Sequence, residues 1–169
     1  MARSLSLNFR EAINAAQSSE LPIWLVTIDH DDLVGETIRM SSDPTERITE
    51  IPLTYGTYSG SNLFLFTGMS VMLPDESADA APRSTLMLSN VSREAIVLAR
   101  SVVTPARAKL ELVLSSDPDT VEITSPWLDV LDARMNAQTI TLDLGLNSMI
   151  TQADPGDSFD PAGFPGLFS

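Results

Sequence analysis

A single histidine, His30, lies in the run Asp29-His-Asp-Asp32 and is the only imidazole available for proton transfer. A hydrolase would pair it with a serine and an aspartate, yet no Gly-x-Ser-x-Gly turn exists to present the serine. His30 is therefore expected in a solvent-exposed turn. Carboxylates cluster twice: Asp154, Asp157 and Asp160 recur at spacing three, and Ser116-Asp-Pro-Asp119 brings two together. Neither cluster has the alternating ligands, central glycine and closing glutamate of a calcium loop, so solvated turns are expected. Gly56, Gly60 and Gly68 stand too far apart for a phosphate cradle. Two acids could meet from distant positions as in a glycosidase, but no spacing singles out a pair. With cysteine absent, thiolate metal sites, disulfides and cysteine nucleophiles are excluded. Arg39, Arg93, Arg100 and Arg107 read as surface ion-pair partners. No catalytic residue, cofactor site or metal site is assigned.

Ten basic residues against twenty-three acidic ones leave a net charge of −13. Such a surface repels a phosphate backbone, so sequence-specific nucleic-acid binding is not expected. It suits a basic partner, solubility, or a wall past which nucleic acid moves without adhering. No apolar run approaches the ~18 residues that cross a bilayer, and Arg10 and Glu11 interrupt the start of the chain before a secretory core could form. Assembly in a cytoplasm without membrane anchoring is expected.

The elements that would position these groups are mostly strands. Residues 8–19 read as an amphipathic helix, with Asn8 as N-cap and Phe9, Ala12, Ile13 and Ala16 in one stripe. From 21 to 146 strand patterns prevail. Ile23–Ile28 is nearly all apolar, as in a strand covered on both faces. Leu110, Leu112 and Leu114 alternate with Lys109, Glu111 and Val113; Val121 and Ile123 flank Glu122. Ile140, Leu142, Leu144 and Leu146 give the cleanest period of two. Further strands are expected at 37–40, 48–53, 62–66 and 84–88. Turn signals fall at Ser42-Asp-Pro44, Tyr55–Gly60, Leu73-Pro-Asp75 and Ser116–Asp119. A second helix is expected at 92–103, with Ala95, Leu98, Ala99 and Val102 as its stripe and Asn90 capping it. Trp24 is assigned to the core, and Trp127 to a strand edge or an interface.

The expected fold class is mainly β with two short helices (α+β): an antiparallel β-sandwich or partly open barrel in a single domain. Residues 1–20 form its N-terminal segment and 147–169 an extended arm. That arm combines prolines and glycines with Phe159, Phe164, Pro165, Leu167 and Phe168, a mixture unsuited to helix or central strand and too apolar for an ordinary disordered tail. It is built to dock, either on its own domain or on a neighbouring subunit.

Several segments together resemble a family of uncharacterised proteins encoded among minor-tail genes of long-tailed bacteriophages and prophages. They are Leu21-Pro-Ile-Trp-Leu-Val-Thr-Ile28 with Thr37-Ile-Arg-Met40, Leu86-Met-Leu-Ser-Asn-Val-Ser-Arg-Glu94, Ala108–Glu122 and Phe159-Asp-Pro-Ala-Gly-Phe-Pro-Gly-Leu-Phe168. The resemblance implies a structural virion protein of the tail tip or baseplate, in a homo-oligomeric ring that joins the tail tube protein to the hub. A hexamer is favoured over a trimer, and DNA would transit an acidic lumen. The alternatives are an assembly factor absent from the finished virion and, from a different class, a wall- or glycan-degrading enzyme.

Overall fold

Alternating apolar residues between turn formers build eleven strands and one helix in the computed structural model, which describes residues 5–30, 37–73, 83–89, 106–136 and 138–146. They are α1 (Leu7–Asn14), β1 (Pro22–Asp29), β2 (Ile38–Ser41), β3 (Glu46–Glu50), β4 (Leu53–Ser59), β5 (Asn62–Phe66) and β6 (Gly68–Met72), then β7 (Arg83–Ser89), β8 (Arg107–Leu114), β9 (Asp117–Thr124), β10 (Leu128–Met135) and β11 (Thr139–Gly145). The expected second helix at 92–103, Asn90 and the arm at 147–169 lie outside the described residues.

The strands join in one open sheet ordered β3-β4-β5-β2-β1-β8-β10-β11-β7-β6, with β9 also on β8. Every ladder is antiparallel except β2–β5, where Met40 pairs with Leu65 and Ser41 with Phe66 in parallel. This is the mainly-β, sandwich-like class expected, without a closed barrel.

The corner of the fold is β8. One edge pairs with β1 along its length, from Pro22↔Leu114 to Asp29↔Arg107. The other edge is shared, with β9 against Glu111–Leu114 and β10 against Arg107–Ala108. The chain steps between the two partners at Ser125-Pro126-Trp127, where proline cannot donate to a ladder. Ser125 bridges the step: its N–H donates to the Leu110 carbonyl (2.8 Å) and its Oγ accepts from the Leu110 N–H (2.9 Å). Leu110 thus keeps both backbone bonds where its neighbour changes.

Beyond that corner, β10, β11, β7 and β6 fold over one face of β1, β2 and β8. The main core forms between them from Val26, Met40, Leu110, Leu86, Leu142 and Leu144 among others. The period of two in Ile140, Leu142 and Leu144 aims all three inward, while Leu146, past the strand end, is exposed. On the reverse face of β1 and β8, Ile23, Leu25, Phe64 and Val113 form a second cluster. Both faces of β1 are therefore buried, as its apolar run requires. Trp24 is half-buried and packs against the main core and the helix cluster.

The β4–β5 hairpin curls toward β9 on this reverse side. Gly60 and Ser61, at φ 54° and 67°, form the two-residue turn between β4 and β5. Ser59 Oγ donates to the Pro118 carbonyl (2.7 Å), and the Gly60 N–H donates to the Asp119 carboxylate (2.8 Å). The curl is thus pinned by two local bonds where a closed barrel would have a ladder. Asp119→Ala removes a charged acceptor and is expected to cost about 1 kcal/mol. Hydrogen exchange should show the β4–β5 tip opening first, and unchanged protection at Gly60 would contradict the pin.

Four local expectations are corrected. The first helix ends at Asn14, not near 19, and its N-cap is Ser6, whose Oγ accepts from the Phe9 N–H; Asn8 lies inside it. Of the expected stripe only Phe9 is buried, against Leu112 and Leu114, whereas Ile13 is exposed. With one anchoring side chain, packing cannot hold a longer helix, and the Asn14 amide bonds back to the Arg10 carbonyl (2.7 Å). The strand expected at 48–53 is two strands, because Ile51–Pro52 makes the β3–β4 turn. Tyr55–Gly60, expected as a turn, lies mostly within β4. The turn expected at Ser116–Asp119 occupies Ser115–Ser116, and Asp117 already begins β9.

Candidate interaction surface

Among the described residues the carboxylates are spread over several turns and strands. His30 is buried, not exposed as its acidic flanks suggested. The period of two explains this: Trp24, Val26, Ile28 and His30 share one parity, so His30 follows β1 onto the face of the main core. Asp117 accepts from Thr120 Oγ1 (2.7 Å) and Asp119 from Gly60, so these carboxylates serve turns. No group of metal-binding side chains assembles among the described residues. The cluster Asp154, Asp157 and Asp160 lies outside them, as do Arg93 and Arg100. Arg107 faces Asp129 at 3.7 Å, the ion-pair role expected of it.

Glu11 and Glu20 line a hollow of about 350 Å³ beside α1, together with Asn8, Gln17 and Ser18. One Glu20 carboxylate oxygen there is buried without a hydrogen-bond partner. Most of the lining is exposed, so the hollow is wet and does not desolvate a substrate.

A buried polar group near β2 is structural. Ser41 Oγ contacts Thr57 Oγ1 (2.8 Å) and accepts from the Asp43 N–H (3.1 Å); Asp43 in turn accepts from the Thr45 N–H and hydroxyl, each at 2.9 Å. The Trp24 N–H donates to Ser42 Oγ at 2.9 Å. The Ser-Asp-Pro turn signal therefore ties β1, β2 and β4 together with every partner satisfied.

The described surface presents exposed apolar side chains and a small network of paired charge. At the β3–β4 turn Ile51 is 95% exposed and Leu53 is exposed beside it. Tyr58 and Leu65 are exposed on the β4–β5 wing. On the outer face of the second layer, Asp132 stands directly opposite Asp143. Arg134 lies between them, 2.9 Å from Asp132 and 3.6 Å from Asp143, while Thr85 Oγ1 donates to Asp143 at 3.2 Å. Beside this network Met72, Met87 and Leu131 are exposed. Trp127, at the β9–β10 step, is exposed at the strand junction. Exposed apolar groups at turns and outer faces mark contact surfaces more than catalytic ones. The sequence missed the outer face because β6 and β10, which carry part of it, alternate too weakly to stand out. The arm residues Phe159, Phe164, Pro165, Leu167 and Phe168 lie outside the described residues.

No curated protein matches the sequence. Among solved structures, the fold resembles a chain of the "Virion of native gene transfer agent (GTA) particle", with a TM-score of 0.57 at 13% identity. The likeness covers 92% of this chain and 50% of that one, so this chain spans half the length of its structural neighbour. At that identity the likeness is one of fold. Residues 8–156 match the family described as "Domain of unknown function (DUF1833)". With that match running through most of the sequence, the chain belongs to the DUF1833 family.

Proposed function

We propose that this chain is a structural virion protein of a phage-like particle, not an enzyme, and that it forms a ring at the tail tip between the tail tube and the hub. The observation that carries the reading is the fold shared over 92% of the chain with a virion component. The structural roles of Asp43, Asp117 and Asp119 support it, as do the exposed apolar groups Ile51, Tyr58, Leu65 and Leu131. The ring is hexameric, with a trimer as the alternative, and its partners are further copies, the tube protein and the hub or baseplate. A net charge of −13 suits a lumen through which DNA passes without binding. The chain acts as a single domain in the virion with no membrane anchor, and its intersubunit arm is Phe159–Phe168.

Cryo-EM of purified tail tips tests this directly, with density for the chain as a ring expected. Mass spectrometry of the same particles separates a virion component from an assembly factor: absence of its peptides from complete tips moves the role to assembly. Deleting Phe159–Ser169 is expected to abolish ring formation while leaving a cooperative melt. Loss of that melt would instead assign the segment to its own core.

A further inference from the structure

The core-facing side of the first layer extends beyond the cover of the second. Residues paired across neighbouring strands point to the same side of a sheet. One such row runs Leu110–Val26–Met40–Leu65–Gly56–Glu46, from β8 through β1, β2, β5 and β4 to β3. Leu110, Val26 and Met40 are buried in the main core, whereas Leu65, next in the row, is 44% exposed. Tyr58 and Leu63 pair with each other two residues further along the β4–β5 hairpin and share this side. Tyr58 is 51% exposed and Leu63 half-buried. Ile48 on β3 leans over Gly56, its Cγ1 at 3.4 Å from where a Cβ would stand, and bounds the patch on that side. Tyr58, Leu63 and Leu65 thus form an open apolar shelf that prolongs the main core.

We propose that this shelf receives the aromatic segment Phe159–Phe168 of a neighbouring copy, with the Phe164 ring laid against Leu65 and Tyr58. The inference rests on the ring reading above and names the surface its arm would grip. The shelf stands open in the single chain, so its cover comes from another copy. Residues 161–168, Pro-Ala-Gly-Phe-Pro-Gly-Leu-Phe, carry no charge in a chain of which 20% is charged. They can therefore lie on an apolar surface without burying an ion. Pro161 and Pro165 have no N–H, so the same contact strands fewer backbone donors. A phenylalanine beside Tyr58 adds the offset or edge-to-face contact that aromatic pairs prefer. Residues 147–158 span at most about 40 Å when extended, within reach of an adjoining subunit. Arm on one side and shelf on the other make the head-to-tail contact that a closed ring requires.

The absence of cysteine makes a clean test possible. In the full-length chain, Leu65→Cys combined with Phe164→Cys is expected to give a ladder of covalent multimers under mild oxidation. Met87→Cys with Phe164→Cys, which sets the first thiol on the exposed outer face of the second layer, should give none. A bond confined within single chains, or equal cross-linking in the control pair, would overturn the proposal. Native mass spectrometry of the wild-type chain separates the failures. Multimers that form without the 65–164 bond discard the shelf and leave the ring standing, whereas a monomer with no bond discards the shelf and counts against self-association. As a second readout, Tyr58→Glu puts a charge on the shelf and should weaken multimer formation at least tenfold while preserving the melt. Unchanged multimers in that variant would count equally against the shelf.

Discussion

Leu110→Ala is expected to lower the stability of the fold by about 3 kcal/mol, within the range for a buried leucine truncated where the surroundings relax only in part. Leu110 is 1% exposed and sits in the main core beside Val26. It also stands where β8 changes partner from β9 to β10, and its backbone is held there by Ser125. A cavity at this point loosens both layers, because they share β8. For a chain of this size the loss corresponds to a fall in Tm of roughly 6–12 °C. Calorimetry checks it, and Leu65→Ala, on the exposed wing, serves as the comparison with an expected change below about 1 kcal/mol. Similar shifts for the two would mean that the β8 corner is not the centre of the core.

Gly56→Ala is expected to destabilise by about 2–3 kcal/mol, although it adds a single methyl group. Gly56 pairs with Glu46 on β3 and Leu65 on β5, so it sits inside the wing with a strand on each side. A Cβ there would overlap the Phe64 carbonyl, a backbone atom that cannot rotate away, and would crowd Ile48 Cγ1 at 3.4 Å. Glycine is present because neighbouring backbone approaches too closely for any side chain. Gly60→Ala separates this effect from turn strain. Nothing lies within 4 Å of its added Cβ, but its φ of +54° disfavours an L side chain by about 1 kcal/mol. Hydrogen exchange should show β4 and β5 amides losing protection in Gly56→Ala, with the main-core strands protected. Equal effects of the two substitutions would reject the crowding argument.

Several elements are legible from the residues alone because their side chains obey one short-range rule. The period of two in Ile140, Leu142 and Leu144 identifies β11, and the unbroken apolar run Ile23–Ile28 announces a strand buried on both sides. The lack of cysteine excludes thiolate chemistry and the excess of acids disfavours binding to a phosphate backbone, both legible in composition alone. Other features depend on neighbours far along the chain. Tyr55–Gly60 resembles a turn by composition, yet Gly56 is a strand glycine selected by the carbonyl of Phe64. β10 carries Asp129, Asp132 and Arg134 with little apolar alternation, and it is held by β11 along most of its length and by the free end of the β8 edge at its start. His30 has polar flanks but is buried, since strand parity outranks the character of its neighbours. Gly145 is covered by Leu131, which a bulge on another strand puts there, an arrangement no local window contains. Composition and periodicity determined that this chain folds as β strands and which side chains of the clearest strands turn inward. Tertiary pairing decided which strands share β8 and where the surface is left open, because those depend on backbone partners distant in sequence.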